Sequence, residues 1–317
     1  MTELAIGLDI GGSWSRAALG DRNGNILRRM ASPVEAGSST SFLEHIDGLI
    51  ESLVGEKIDV ISGIGLGVAG RLDLKRGSLL FSPHTKLKDL EIRKHIIEKF
   101  QKPTAFLNDC MMAALAEKMI GAGVGYKNLV YVGIGTGIGS GVIIDNRILM
   151  GKDGNAHEVG HMIIDMDGRL PCECGGRGHW EAYTSGSGMP EYARLLAEDI
   201  GIETPLASRV RQGKIESKEI FKALYNGDRF AKHVINDCTR LNAMALANLN
   251  NLYDPEIIII GGAVAIKNPG AVIEPLEAEV QKYSFNMPPK ITATAFGEDS
   301  PLIGSILSTF EPSFSQP

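Results

Sequence analysis

The chain has 317 residues, which is enough for two globular domains of ordinary size. Its 32 Lys and Arg and its 38 Asp and Glu give a net charge of −6, whereas a nucleic-acid-binding surface is basic, so we expect no nucleic-acid partner. Hydrophobic residues make up 44% and charged residues 22%, a composition that excludes a mainly disordered chain.

Neither a secretory signal nor a membrane span is expected. The amino terminus carries Glu3 and Asp9 and lacks the basic start of a signal peptide. The longest uncharged apolar stretch, residues 129–144, contains five glycines and is shorter than the ~20 residues that span a bilayer. Cys172 and Cys174 are too close in sequence for an ordinary structural disulfide. We therefore expect a cytoplasmic protein.

One strand pattern occurs twice, at residues 4–27 and at residues 129–149. Each copy has an apolar run, a glycine-rich turn, a second apolar run, a polar turn and a third strand, as in a β-meander. The repeat predicts two similar sheet cores.

Strands and helices alternate in the rest of the chain, which predicts an α/β fold. Strands are expected at residues 59–70, 104–107 and 256–262, and the unbroken isoleucine run of the last indicates burial on both faces. Helices are expected at residues 41–54, 91–100, 111–121, 181–200, 217–226, 229–252 and 302–310.

The first glycine turn follows Asp9. Gly11 and Gly12 allow backbone N–H groups to approach an anion, and Ser13 and Arg16 add donors for phosphate. A carboxylate at the end of an apolar strand is costly to bury alone, and the hydrated magnesium ion of a nucleotide would satisfy it. The alternative is an ordinary hairpin turn.

The second turn has glycines at positions 133, 135, 137, 139 and 141 and a hydroxyl at Thr136. Five glycines weaken a strand pair, so close approach of a phosphate chain explains them better than packing does. A third pair, Gly261 and Gly262, ends a strand where a base or ribose could lie against the backbone. None of the three matches a P-loop or a dinucleotide-binding motif.

Asn108 and Asp109 lie just after a short strand and before a helix. Asp109 is either the N-cap of that helix or a general base that accepts a hydroxyl proton during phosphoryl transfer. The residues alone leave both interpretations open.

A Cys and His cluster lies between residues 157 and 183. His161, Cys172, Cys174 and His179 offer four nitrogen and sulfur ligands, which is the chemistry of a closed, structural zinc site; two free thiols beside unrelated histidines are the alternative. Glu158 and Glu181 flank the cluster, and a metal that folds the loop would bring both carboxylates to one pocket for sugar hydroxyls. Otherwise they are two solvated glutamates.

Taken together, these segments resemble the ROK family of sugar kinases and repressors, which belong to the actin-like ATPase superfamily. The resemblance covers nearly the whole chain. The segments that carry it are DIGGSWSR, GLGVAGRLD, LNDC, GIGTGIGSG, HEVGH with CECGGRGHWEAYTSG, and IIIIGGAV.

The resemblance implies two α/β domains of the actin-like (ribonuclease H-like) fold, with ATP and sugar in an inter-domain cleft. We expect a small N-terminal domain at residues 1–107 plus about 299–317, and a large domain with the zinc loop at residues 108–298. Family members are commonly dimers or tetramers, so we expect a homodimer or homotetramer.

The resemblance also implies a role for each matching residue. Asp109 would be the general base that deprotonates the C6 hydroxyl of the sugar. The sugar-binding residues would be Gly70, Arg71, Thr85, Asn108, Asp109, Glu158, His161 and Glu181. The residues facing ATP and magnesium would be Asp9, Gly11, Gly12, Ser13, Arg16, Thr136, Gly137, Gly261 and Gly262. The zinc ligands would be His161, Cys172, Cys174 and His179.

Two departures from the family pattern concern these residues. His179 stands where the family has a third zinc cysteine, which still permits zinc. Ser13 stands where members often have Thr, and it keeps the hydroxyl.

The sugar-side loop, GR followed by SPHTKL, resembles the N-acetylmannosamine kinases of the family, which use the matching Gly, Arg and Thr. We therefore expect N-acetylmannosamine as substrate, phosphorylated to its 6-phosphate. A glucokinase or broad-specificity hexokinase is the alternative, and Arg71 as a plain surface charge would weaken the first interpretation.

A remote alternative is a non-catalytic, sugar-responsive regulator; family repressors carry a winged-helix segment before the first phosphate loop, for which the position of Asp9 leaves no room.

Overall fold

The computed structural model describes residues 3–12, 14–34, 37–55, 58–82, 85–213 and 215–311. Its strands are β1 (Leu4–Ile10), β2 (Trp14–Asp21), β3 (Ile26–Pro33), β4 (Ile61–Val68), β5 (Arg71–Asp73), β6 (Ser78–Phe81), β7 (Lys88–Leu90), β8 (Thr104–Leu107), β9 (Leu129–Ile134), β10 (Ile138–Ile144), β11 (Arg147–Ile148), β12 (Ile257–Gly261) and β13 (Lys290–Ala293).

Helices connect and cover these strands. They are α1 (Ser39–Val54), α2 (Ile92–Phe100), α3 (Asp109–Ile120), α4 (Glu181–Thr184), α5 (Gly188–Asp199), α6 (Pro205–Arg211), α7 (Ser217–Tyr225), α8 (Arg229–Tyr253), α9 (Ala263–Lys267), α10 (Pro269–Val272), α11 (Leu276–Val280) and α12 (Ser300–Ser308). Among the described residues, no helix is both long enough and apolar enough to cross a membrane.

The chain forms two compact units. The first unit comprises residues 1–131, 140–157 and 294–317, and the second comprises residues 132–139 and 158–293. Residues 108–131 group with the first unit by their contacts. The domain boundary expected near residue 107, and the cleft, stay predictions.

The first unit contains a five-stranded sheet in the order β3-β2-β1-β4-β8. The meander predicted at residues 4–27 is confirmed, because β1, β2 and β3 pair antiparallel in chain order. β4 pairs parallel to β1 and β8 pairs parallel to β4, as the predicted α/β alternation requires. A small antiparallel sheet, β5-β6-β7, was not predicted, because its strands are only three or four residues long.

The last helix, α12, packs tightly onto this sheet. Residues Leu302 and Ile306 are buried against Ala5 and Ala18. At Gly65 of β4 a Cβ atom would overlap the backbone of α12, so the helix approaches the sheet as closely as backbone atoms permit.

A buried carboxylate ties the end of α3 to the chain that follows β13. Glu117 is fully buried; its Oε2 accepts the N–H of Ala122 at 2.8 Å and its Oε1 accepts the N–H of Ala295 at 3.0 Å. The Thr294 hydroxyl donates to the same Oε1. These donors stabilise a charge that burial alone would make costly.

The second five-stranded sheet has the order β11-β10-β9-β12-β13. The second predicted meander corresponds to β9, β10 and β11. Ile257 to Ile260 of β12 are all fully buried, which confirms the expectation from the isoleucine run.

The helix predicted at residues 181–200 is wrong in one respect, because it is interrupted. α4 ends at Thr184 and α5 begins at Gly188. Ser185 adopts an extended conformation with ψ of 170°, and its Oγ accepts the N–H of Gly188 at 2.9 Å. Because the apolar periodicity continues across the break, the sequence pattern predicted one continuous helix. The short helices α6, α9, α10 and α11 were also not predicted.

Candidate active site

The first glycine turn, residues 9–16, joins β1 to β2 in the first unit. Asp9 lies near the end of β1 and is only 5% exposed. The N–H of Gly11 donates to the carbonyl of Trp14 at 3.0 Å and closes the turn, which also contains Gly12. Ser13, predicted to face phosphate, lies outside the described residues.

Arg16 is the direct cross-strand partner of Asp9 and forms an ion pair with it. Its Nε donates to Oδ2 of Asp9 at 2.8 Å, and a second nitrogen lies 3.9 Å from Asp299. Burial raises the pKa of Asp9, and the Arg16 guanidinium opposes that rise. The structure therefore places Arg16 on Asp9, where it neutralises a buried carboxylate.

The second glycine turn, residues 133–141, joins β9 to β10. The N–H of Gly135 donates to the carbonyl of Gly137 at 2.9 Å, and Thr136 is exposed at the tip. The N–H of Ile138 donates to Oε2 of Glu181 at 2.7 Å. A Cβ at Gly137 would overlap this carboxylate, so the turn and Glu181 pack against each other in the second unit.

The third glycine pair lies beside the second turn. Gly261 ends β12, and Gly262 has φ of +84°, a conformation that L side chains rarely adopt. A Cβ at Gly262 would lie 2.5 Å from the backbone carbonyl of Ile134. The structure thus places Gly262 against the start of the second turn, and Thr136, Gly137, Gly261 and Gly262, which were predicted to face the nucleotide, all belong to the second unit.

Asn108 and Asp109 begin α3. Asn108 is the N-cap: it is 5% exposed, and its Oδ1 accepts the N–H of Cys110 at 2.8 Å. Asp109 is the first helical residue, and its Oδ1 also lies 2.9 Å from the same N–H. The interpretation of Asp109 as the N-cap is therefore wrong, because Asn108 performs that role.

The sugar-side loop lies in the first unit. Gly70 has φ of +126°, and a Cβ there would meet the carbonyl of Phe81 at 2.7 Å. Arg71 begins β5 and is exposed. Thr85 is buried, and its Oγ1 accepts the N–H of Leu87 at 3.4 Å.

The four predicted zinc ligands come together in the second unit. The ligand atoms of His161, Cys172, Cys174 and His179 all lie within 4.8 Å of one another. Ligand atoms of a tetrahedral zinc site are about 3.3–3.8 Å apart, given zinc bonds of about 2.0–2.3 Å. Nδ1 of His161 lies 3.7 Å from Sγ of Cys172, and Nδ1 of His179 lies 3.2 Å from Sγ of Cys174. Both distances are close to that range, so the donor set fits zinc.

The electrostatics of this cluster favour a bound cation. Hydrogen bonds with Cys172 and then with Glu158 raise the pKa of His161 to about 11. Burial acts to raise the pKa of Cys172, but hydrogen bonds, first with His161, bring it below its ordinary value. Zinc would take the place of the His161 proton, because the metal binds neutral imidazole and thiolate.

Both glutamates that flank the cluster contact its members. Oε2 of Glu158 lies 3.3 Å from Nε2 of His161, and Oε1 of Glu181 lies 4.0 Å from Sγ of Cys172. Glu181 therefore contacts both the Cys and His cluster and the second glycine turn. Sequence reasoning missed this second contact, and it missed Gly186 and Ser187, which donate hydrogen bonds to the turn. The run of small residues SGSG was the available signal.

Comparison with known proteins agrees with these motifs. The model of the ROK family matches residues 5–309. A glucokinase of Aeropyrum pernix is 32% identical over 307 residues, which are 95% of this chain and 94% of that protein. The xylose repressor of Bacillus subtilis is 25% identical and covers 95% of this chain and 75% of its own length.

Solved structures give the same picture of the fold. A ROK family glucokinase from Streptomyces griseus, in complex with glucose and AMPPNP, has a TM-score of 0.81 and 29% identity over 96% of this chain and 98% of that one. A Listeria monocytogenes protein, provisionally assigned as an N-acetylmannosamine kinase, has a TM-score of 0.73 at 22% identity over 98% and 99% of the two chains. The predicted α/β fold of the actin-like ATPases is confirmed.

Proposed function

Because the chain belongs to the ROK family, we propose that it is an ATP-dependent sugar kinase that phosphorylates the C6 hydroxyl of a hexose. Support comes from the glucokinase of Aeropyrum pernix, at 32% identity, and from the Streptomyces griseus glucokinase, whose structure contains glucose and AMPPNP.

The observation that carries the proposal is the arrangement at the start of α3. Asn108 caps the helix, so the carboxylate of Asp109 is not required for capping. A carboxylate at this position is suited to accept the proton of the C6 hydroxyl while the oxygen attacks the γ-phosphoryl group and ADP leaves. Asn108 would hold the sugar beside it.

The phosphates would lie against backbone N–H groups of the glycine turns. Gly12 of the first turn, Thr136 and Gly137 of the second, and the end of β12 would supply these groups without interference from bulky side chains, whereas the N–H of Gly11 closes its own turn. Asp9 would hold the magnesium ion of the nucleotide, which neutralises phosphate charge when bound. The buried carboxylate of Asp9 fits such a cation, and Arg16 occupies one of its oxygens in this structure.

Glucose is the substrate we favour. Besides the glucokinase relatives, the sugar-side loop supports this choice, because Arg71 is exposed and the hydroxyl of Thr85 accepts the N–H of Leu87. N-Acetylmannosamine is the second candidate, because Gly70, Arg71 and Thr85 match the residues of the N-acetylmannosamine kinases.

Three further features belong to this proposal. The cluster of His161, Cys172, Cys174 and His179 would hold a structural zinc ion, since four ligands leave no open position for water. None of the four cysteines, all of which lie among the described residues, forms a disulfide, which suits a reducing cytoplasm. A homodimer or homotetramer is proposed from the family resemblance.

The decisive experiment measures ADP release with magnesium ATP and glucose, mannose, glucosamine, N-acetylglucosamine or N-acetylmannosamine. Asp109→Asn should lower kcat by at least about 10²-fold while sugar affinity changes less than about twofold. Asp59→Asn, at an exposed carboxylate of the first unit, is the matched control and should behave as the wild type.

The outcomes separate the candidates. A kcat/KM for glucose at least about tenfold above that for N-acetylmannosamine supports glucose as the substrate. The reverse order supports N-acetylmannosamine, with Arg71 as a sugar-binding residue. Sugar binding without turnover of any sugar would indicate the regulator instead. Near-normal turnover by Asp109→Asn would remove this residue from the mechanism.

A further inference from the structure

The break between α4 and α5 lies directly on the second glycine turn. Ser187 donates twice to the carbonyl of Thr136, through its N–H at 3.1 Å and through its hydroxyl at 2.9 Å. The N–H of Gly186 donates to the carbonyl of Gly135 at 2.8 Å. Two successive carbonyls of the turn are therefore held by two successive residues of the break.

Small residues make this approach possible. A Cβ at Gly186 would lie 3.0 Å from the carbonyl oxygen of Gly135 and 3.5 Å from Cα of Thr136. Ser187 is exposed, so its side chain is not required to fill a core. Its hydroxyl also lies 3.3 Å from Oγ of Ser185, so this serine contributes hydrogen bonds rather than packing.

Because peptide groups are planar, these hydrogen bonds also fix the direction of the neighbouring backbone N–H groups. In a planar trans peptide the carbonyl of one residue and the N–H of the next point to opposite sides. With the carbonyl of Thr136 directed at Ser187, the N–H of Gly137 is directed away from it. One peptide further on, Glu181 accepts the N–H of Ile138 at 2.7 Å. The peptide orientations of the turn are thus held from both sides.

We propose that Ser187 is a positioning residue for the nucleotide, which fixes the Thr136–Gly137 peptide so that the Gly137 N–H faces a phosphate of ATP. The inference rests on the proposed kinase function and adds to it a residue that does not touch the reacting atoms. Preorganised N–H donors bind an anion better than donors that must be ordered on binding.

The experiment compares Ser187→Ala with Ser187→Thr, which keeps the hydroxyl at an exposed position. The control is Ser38→Ala, which removes the two hydrogen bonds of an exposed serine hydroxyl at the N-cap of α1 in the first unit. Calorimetry gives the Kd of the magnesium complex of AMPPNP and, separately, the Kd of glucose. Thermal unfolding of each variant is recorded alongside.

Ser187→Ala should weaken AMPPNP binding by about three- to tenfold, as expected for loss of one hydrogen bond, with the Kd of glucose unchanged within about twofold. Ser187→Thr should restore binding to within about twofold, and Ser38→Ala should leave it unaltered. An unchanged AMPPNP Kd in Ser187→Ala, an equal weakening of glucose binding, or no rescue by threonine would overturn the inference.

These readouts also separate the inference from the proposed function. If the wild type binds AMPPNP but phosphorylates no sugar, the kinase assignment fails while the Kd ratio still decides the role of Ser187. If the wild type binds no AMPPNP, the positioning role is overturned as well.

Discussion

The two glycine turns start from similar sequence patterns but satisfy their polar groups in opposite ways. The first contains a buried carboxylate, Asp9, balanced by Arg16 across the hairpin. The second contains no charged side chain of its own and is held by Ser187 and Glu181 from a neighbouring segment. The first turn therefore offers a carboxylate for a cation beside its backbone N–H groups, whereas the second offers backbone N–H groups without a charged side chain of its own.

The largest expected effect is the loss of stability when a glycine beside each turn or within it is replaced by alanine. Gly262→Ala should lower the free energy of unfolding by at least about 3 kcal/mol, because it combines a positive φ with overlap against the backbone of Ile134. Gly11→Ala in the first turn should cost about 1 kcal/mol or less, since its Cβ would meet only the carbonyl of Trp14 at 3.1 Å. Chemical denaturation measures both, and equal losses would remove this difference between Gly262, which packs on the second turn at Ile134, and Gly11 of the first turn.

The next effect concerns charge in the first turn. Arg16→Met leaves Asp9 buried without its counter-ion and should destabilise the protein by about 2 kcal/mol near neutral pH. Burial already raises the pKa of Asp9 above its value in the unfolded chain, and loss of Arg16 raises it further. Because the folded state then holds the proton more tightly, the free energy of unfolding falls as the pH rises through the folded pKa.

The measurement is therefore the stability difference between variant and wild type at two pH values, about 5 and about 7.5, where the larger loss is expected at the higher pH. Arg29→Met is the matched control, because Arg29 pairs with Asp299 but is 60% exposed. It should cost less than about 0.5 kcal/mol at both pH values. A loss for Arg16→Met that is the same at both pH values would contradict the role given to Asp9.

The smallest effect concerns metal. Cys172→Ser should release zinc and loosen Glu181, which contacts both Cys172 and the second turn. We expect KM for the sugar to rise about three- to tenfold and AMPPNP binding to weaken by about threefold or less. Elemental analysis of protein prepared without chelators, with kinetics on the same samples, tests this. Wild-type protein that contains no zinc would cancel the expectation.

The sequence predicted the elements whose patterns are strong. The two meanders, the isoleucine strand β12 and helices α1, α2, α3, α7, α8 and α12 follow from apolar periodicity, and the cluster of His161, Cys172, Cys174 and His179 follows from residue chemistry. Other short elements, such as β5 and α9, carry too little periodicity to be recognised, whereas the equally short strands β8 and β12 were predicted from their apolar runs.

It was harder to predict which residues contact each other than to predict which residues belong to the site. Motif reasoning assigned Arg16 to phosphate, which stays a prediction, and did not predict its ion pair with Asp9 across the hairpin; equal distances of the two residues from the turn were the available signal. The contact between Ser187 and Thr136 joins residues 51 positions apart and interrupts a helical pattern that otherwise continues. Such pairings depend on tertiary packing, which propensity does not encode.

The close packing of α12 against the sheet of the first unit has a consequence for biosynthesis. All residues of the second unit have been synthesised by position 293, whereas the first unit still lacks Ser300–Ser308, which cover Ala5 and Ala18. A released chain that ends near residue 299 is therefore expected to fold its second unit while the sheet of the first still exposes apolar surface. Limited proteolysis of that truncated chain should show the second unit protected and the first cleaved.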